Sequence, residues 1–135
     1  MFIPLIAGMA GNTGTQALAV VVRGLAVNEF KSRDVLWLLW REAGVGLIVG
    51  TVNGLLIAAV AWLWQGNPWL GFVIGLTLWV TLFVATMAGA VVPLLLNRIR
   101  VDPAVASGPF ITTINDIIGL TIYFTVATAF MGRLI

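Results

Sequence analysis

The stretch Ala43–Asn97, AGVGLIVGTVNGLLIAAVAWLWQGNPWLGFVIGLTLWVTLFVATMAGAVVPLLLN, runs for 55 residues without an Asp, Glu, Lys or Arg. As one helix it would reach roughly 80 Å, against a bilayer hydrocarbon core of about 30 Å. It must therefore turn back on itself. The reversal is legible at Gln65-Gly66-Asn67-Pro68, where turn-forming residues cluster. Trp62, Trp64 and Trp69 flank it, as an interfacial aromatic belt would. One helical hairpin thus sits at the middle of the chain.

Working outward, the next charge-free run is Met1–Val22, closed by Arg23. Glu29, Lys31, Arg33, Asp34, Arg41 and Glu42 separate it from the hairpin. On the other side, Arg98, Arg100, Asp102 and Pro103 lead into a last apolar run, which closes with Arg133. The spacing predicts an all-α, polytopic membrane chain with helices over about 2–26, 35–64, 69–97 and 106–132. Composition agrees: 61% of the 135 residues are hydrophobic and 9% charged, where soluble domains carry about 25% charged residues. A single transmembrane domain over 1–135, with no soluble domain, is expected. Met1–Val22 lacks a basic leading region and a cleavage site, so it does not read as a signal peptide.

Six of the seven basic residues lie between residues 23 and 41 or at 98 and 100. These two loops fall on the same side of a four-span topology, which the positive-inside rule places in the cytoplasm. The turn at 65–68 and both ends of the chain then face outward. An outward-facing start at Met1 predicts at least one further helix before it in a longer protein. The cytoplasmic membrane is the expected location, with lipid as the surrounding partner.

Composition also removes whole classes of function. There are no cysteines and no histidines, which excludes disulfides, thiolate or imidazole metal sites, Cys nucleophiles and His bases. A net charge of +2 is too small for a nucleic-acid surface. An aspartyl-type membrane hydrolase needs two carboxylates within the bilayer, and the apolar runs offer one, so no enzymatic activity is expected.

That one carboxylate is Asp116, with no charged neighbour from Pro103 to Gly132. An ionised Asp at the centre of a spanning helix costs about 2.5–3.5 kcal/mol on insertion scales. Pro109, Thr112, Asp116, Gly119 and Tyr123 fall at helical spacing on one face, and Thr113 and Asn115 widen it. The first helix carries a matching face of Pro4, Gly8, Asn12, Thr15 and Gln16, Ala19 and Arg23, flanked by Gly11 and Gly14. Elsewhere, the four-residue spacing of Gly46, Gly50 and Gly54, and of Gly71 and Gly75, reads as helix packing.

Set face to face, the two polar stripes offer a carboxylate, amides, hydroxyls and backbone carbonyls. These hard oxygen ligands suit Mg²⁺, Ca²⁺ or Mn²⁺. Mg²⁺ dehydrates reluctantly, so one carboxylate plus several waters forms a workable site. A symmetric dimer with its pore on the two-fold axis would bring two carboxylates to the ion. The alternative is a cation- or proton-coupled carrier in which Asp116 binds an ion that moves with a small solute.

The residues themselves carry a resemblance. Pro4-Leu5-Ile6-Ala7-Gly8-Met9-Ala10-Gly11-Asn12-Thr13-Gly14-Thr15-Gln16, continuing to Arg23-Gly24-Leu25-Ala26, resembles the second transmembrane helix of the MgtE magnesium channels. Arg41-Glu42 with the glycines that follow resembles the start of that family's third helix. Asp102-Pro103-Ala104, Ser107-Gly108-Pro109 and Thr112-Thr113-Ile114-Asn115-Asp116 resemble its fourth-to-fifth helix junction and pore helix. The resemblance implies a homodimeric channel whose pore lies between subunits and passes Mg²⁺ down its electrochemical gradient, with Mn²⁺, Co²⁺ or Ca²⁺ as further candidate cargo. By resemblance, Asp116 matches the acidic residue that holds hydrated Mg²⁺, and Asn12 an amide on the facing helix. Thr112 stands where the family presents a backbone carbonyl to the ion's water shell. Gly8, Gly11 and Thr15 match further pore-facing positions, Asn115 widens the lining, and Glu42 is a candidate gating residue at the cytoplasmic mouth. The family's cytoplasmic amino-terminal domain, its CBS domains and the helix before the first one here have no match in this sequence.

Overall fold

The computed structural model describes residues 2–27, 34–106 and 108–135. Glu29, Lys31, Arg33 and Ser107 lie outside the described residues. Four long helices carry the fold: α1 (Ile3–Ala26), α2 (Asp34–Gln65), α3 (Pro68–Arg98) and α4 (Gly108–Ala129). A 3₁₀ turn at Pro103–Val105 precedes α4, and a short α5 (Met131–Leu134) follows it. All four long helices are long and apolar enough to cross a membrane. Helix is the outcome expected there, because lipid offers backbone groups no partners and the chain must satisfy them within each segment.

The helix α3 is the central element. It packs against α1, α2 and α4, and 56% of its apolar span is buried, against 17% for α2 and for α4. The glycine stripes of the hairpin pack on each other. A Cβ at Gly75 would stand 2.8 Å from the Gly54 carbonyl oxygen, too close for any side chain there. This is backbone-to-backbone contact of the small-residue kind, which supplies van der Waals packing where the hydrophobic effect between helices is weak. Further along, Val21, Leu38 and Ala90 tie α1, α2 and α3 together near the ends that carry Arg23 and Arg98.

The turn at 65–68 is built as its residues dictate. Gly66 has φ +68°, in the left-handed region, and its N–H donates to the Trp62 carbonyl at 2.8 Å. Asn67 caps α3: its Oδ1 accepts from Trp69 N at 2.9 Å and Leu70 N at 3.4 Å. Pro68 then opens the helix, where a missing N–H costs little. Asn67→Ala should destabilise the chain by about 1 kcal/mol, read as a lowered thermal midpoint in detergent, while Asn67→Asp should be nearly neutral.

Both ends of the last apolar run differ from a continuous helix over 106–132. At its start, Asp102 Oδ1 accepts from Ala104 N at 3.0 Å and holds the chain in the 3₁₀ turn, so that α4 begins at Gly108. At its end, α4 stops at Ala129. Phe130 leaves the helix and packs its ring against Phe72 at 5.5 Å and Trp69 at 6.3 Å between centroids. The Arg133 guanidinium sits 4.5 Å over the Trp69 ring, an attraction worth about 0.5–1 kcal/mol at an exposed site. These contacts clasp the ends of α3 and α4 on the side opposite the basic loops.

Candidate functional site

The helix α1 has two faces. Ile6, Ala10, Thr13, Gly14, Ala17 and Val21 are buried against α3 and α4. Pro4, Gly8, Asn12, Gln16, Ala19 and Arg23 form an exposed stripe. That stripe is polar or small across the middle of a membrane-spanning helix, where lipid-facing residues are ordinarily large and apolar.

Beside the stripe lies a groove of about 280 Å³, lined by Ala7, Gly8, Gly11, Asn12 and Thr15 of α1 and by Thr112 and Asp116 of α4. The fold thus brings together six of the seven residues expected there: Asp116, Asn12, Thr112, Gly8, Gly11 and Thr15. Ala7 joins them without any signal in the sequence beyond its small size. The two helices approach closely because Gly11 has no side chain. A Cβ there would lie 3.1 Å from Thr112 Cγ2.

The groove carries one carboxylate among neutral oxygen donors. Asp116 is half-buried, and among the described residues its carboxylate has neither a hydrogen bond nor an ion pair. The Thr15 hydroxyl donates to the Gly11 and Asn12 carbonyls, both at 2.9 Å, so it can offer the groove only lone pairs. No group of three or more acidic, His or Cys side chains gathers anywhere among the described residues. One chain therefore presents one carboxylate and a set of neutral oxygen donors, a set better matched to a hydrated ion than to a stripped one.

The chain has counterparts among known proteins. A family model described as "MgtE: Divalent cation transporter" matches residues 3–126. The chain belongs to the MgtE family. It is 50% identical over 133 residues to the "Magnesium transporter MgtE" of Bacillus subtilis, covering 98% of this chain and 30% of that protein. The protein of that name from Enterococcus faecalis is 48% identical over 131 residues, which is 97% of this chain and 29% of the relative. The Thermus thermophilus protein of that name is 40% identical over 127 residues, 93% of this chain and 28% of the relative. This MgtE chain thus spans about a third or less of the length of these relatives. With its four spans it is a multi-pass membrane chain.

Two residues singled out in the MgtE sequence lie elsewhere. Asn115 does not line the groove. It is 1% exposed and turns onto α1 beside Gly14, with its amide on the Ala10 carbonyl. The signal that separates it from Asp116 is simple: adjacent helical residues diverge by about 100°. Ile111, Asn115 and Gly119, four apart, are the buried stripe of α4. Glu42 is likewise buried, on the stripe Leu38, Glu42, Gly46, Gly50 and Gly54 that α2 turns to α3. Its Oε1 lies 3.9 Å from Arg41 Nε, and it takes no part in the groove.

Proposed function

We propose that this chain forms one half of the pore of a Mg²⁺ channel in the cytoplasmic membrane, completed by a second copy of itself. The observation that carries the reading is the groove in which Asp116, free of any protein partner among the described residues, faces Asn12, Thr112 and the open backbone around Gly8 and Gly11. The names of the relatives support Mg²⁺ as the cargo. A two-fold axis along the exposed stripe of α1 would set two Asp116 carboxylates across a water-filled path. Their combined charge would match one divalent ion.

In this mechanism hydrated Mg²⁺ enters from outside and pauses between the carboxylates. Its water shell donates to the Asp116 oxygens, to the Asn12 carbonyl oxygen and to backbone carbonyls near Thr112. Selection then acts on the size and geometry of the hydrated ion, because stripping Mg²⁺ is slow and costly. Mn²⁺, Co²⁺ and Ca²⁺, which shed water more readily or hold it at greater distance, pass according to how well their shells fit.

Flux measurements test the channel against the coupled carrier. The protein carrying this chain is reconstituted in liposomes loaded with a Mg²⁺-sensitive dye, and a potassium diffusion potential is imposed. Each charge gains roughly 2.3 kcal/mol per 100 mV, so a divalent ion gains about twice that. Uptake should rise with inside-negative potential and need no pH gradient, sodium or organic solute. Uptake that demands a co-ion or a proton gradient would assign the protein to the carriers.

A further inference from the structure

Asn115 is the most deeply placed polar side chain of α4, and neither stability nor the groove accounts for it. Its Nδ2 donates to the Ala10 carbonyl at 3.4 Å, and its Oδ1, fully buried, has no partner among the described residues. Burying an amide with one end unsatisfied carries a desolvation penalty that no contact offsets. A Leu of similar size would carry no such penalty.

The surroundings are cut to fit this amide. A Cβ at Gly14 would overlap Asn115 Nδ2 and come within 3.1 Å of Ile111 Cγ2. In a regular helix the Ala10 carbonyl is the acceptor for the Gly14 N–H. The bare backbone at Gly14 is what leaves that carbonyl open to a second donor from α4. The hydrogen bond is directional, and it is met at one rotation of α4 about its axis. With Asn115 turned inward at that rotation, its neighbour Asp116 lies about 100° further round and reaches the groove. The packing of Ile111 and of the bare backbone at Gly119 specifies that rotation less sharply, since neither contact is directional.

We infer that Asn115 is a positioning residue for the ion site: its amide, docked on the Ala10 carbonyl through the notch at Gly14, sets the rotation of α4 that holds Asp116 in the groove. This rests on the reading of Asp116 as the ion ligand. Asn115 itself touches no ion.

The test uses Asn115→Leu in the protein carrying this chain, reconstituted in liposomes. The variant should remain folded, with a thermal midpoint at or above the parent's. Its half-saturating Mg²⁺ concentration should rise roughly 10–100-fold, the usual scale when a residue that orients a metal ligand is lost. A folded Asn115→Leu with the parent's half-saturating concentration would overturn the inference. A second arm keeps the question open to measurement if that variant folds poorly. Gly14→Ala should fail to fold well, because its methyl meets the amide. Adding Asn115→Ala should restore folding but not Mg²⁺ affinity. Restoration of both would reduce Asn115 to a space-filler.

Asp116→Asn serves as the separate control: if it leaves flux intact, the ion-site reading falls, whatever Asn115 does.

Discussion

Asp116→Asn is expected to lower Mg²⁺ flux at submillimolar concentration by at least about a hundredfold. A unit charge about 5 Å from a divalent ion interacts with it by roughly 6–7 kcal/mol at an effective dielectric of about 20. Desolvation and competing ions remove much of that, yet a remainder of about 2.7 kcal/mol already corresponds to two orders of magnitude. In a two-fold pore both carboxylates are lost at once. Asn keeps the shape of Asp and removes only its charge, so the fold should survive and its thermal midpoint should stay level or rise. The rise has a physical source, since an ionised Asp at the centre of a span costs about 2.5–3.5 kcal/mol on insertion scales. Flux into dye-loaded liposomes, alongside a melting curve in detergent, separates the two effects. Unchanged flux would remove Asp116 from the pore.

The second large effect belongs to packing. Gly89→Leu should prevent the chain from folding. A Cβ at Gly89 would overlap the Gly14 carbonyl oxygen and lie 3.0 Å from Ala17 Cβ. The obstacle is backbone on the facing helix, which cannot rotate aside as a long side chain could. Overpacking a filled site costs typically 1–3 kcal/mol and more where the neighbours are rigid. Because α3 is the element the others pack on, the damage would spread to α1 and so to the groove. The expected readout is loss of the monodisperse peak in size-exclusion chromatography and of a cooperative melt. Gly8 provides the contrast. Among the described residues nothing stands within 4 Å of a Cβ there, so Gly8→Ala should fold as the parent does. Equal tolerance at Gly8 and Gly89 would mean that α1 and α3 do not meet as described.

How each feature announced itself follows from the range over which its cause acts. Spans and turn are local. The long charge-free run Ala43–Asn97 has to cross the bilayer twice, and Gly66-Asn67-Pro68 supplies the positive φ, the cap and the helix start that a reversal needs. Asp116 stood out because a lone carboxylate in an apolar run is costly wherever it lies. The ends of α4 have a long-range cause. Phe130 leaves the helix for rings on α3, sixty residues away in sequence, and no local pattern encodes such a contact.

Two matters were settled by the chain alone, because composition and local spacing suffice for them. It is an all-α membrane chain of four spans, and its first and last long helices each carry a polar face. Only the tertiary structure decided which members of those faces share a site. Helical spacing groups residues within one helix, but the rotation of one helix against another depends on how side chains interlock across the gap. The notches at Gly11 and Gly14 draw α4 onto α1, turn Asn115 inward and leave Asp116 in the groove with Asn12 and Thr112. A shift of one residue along α4 separates a buried amide from an open carboxylate, and that distinction comes from packing.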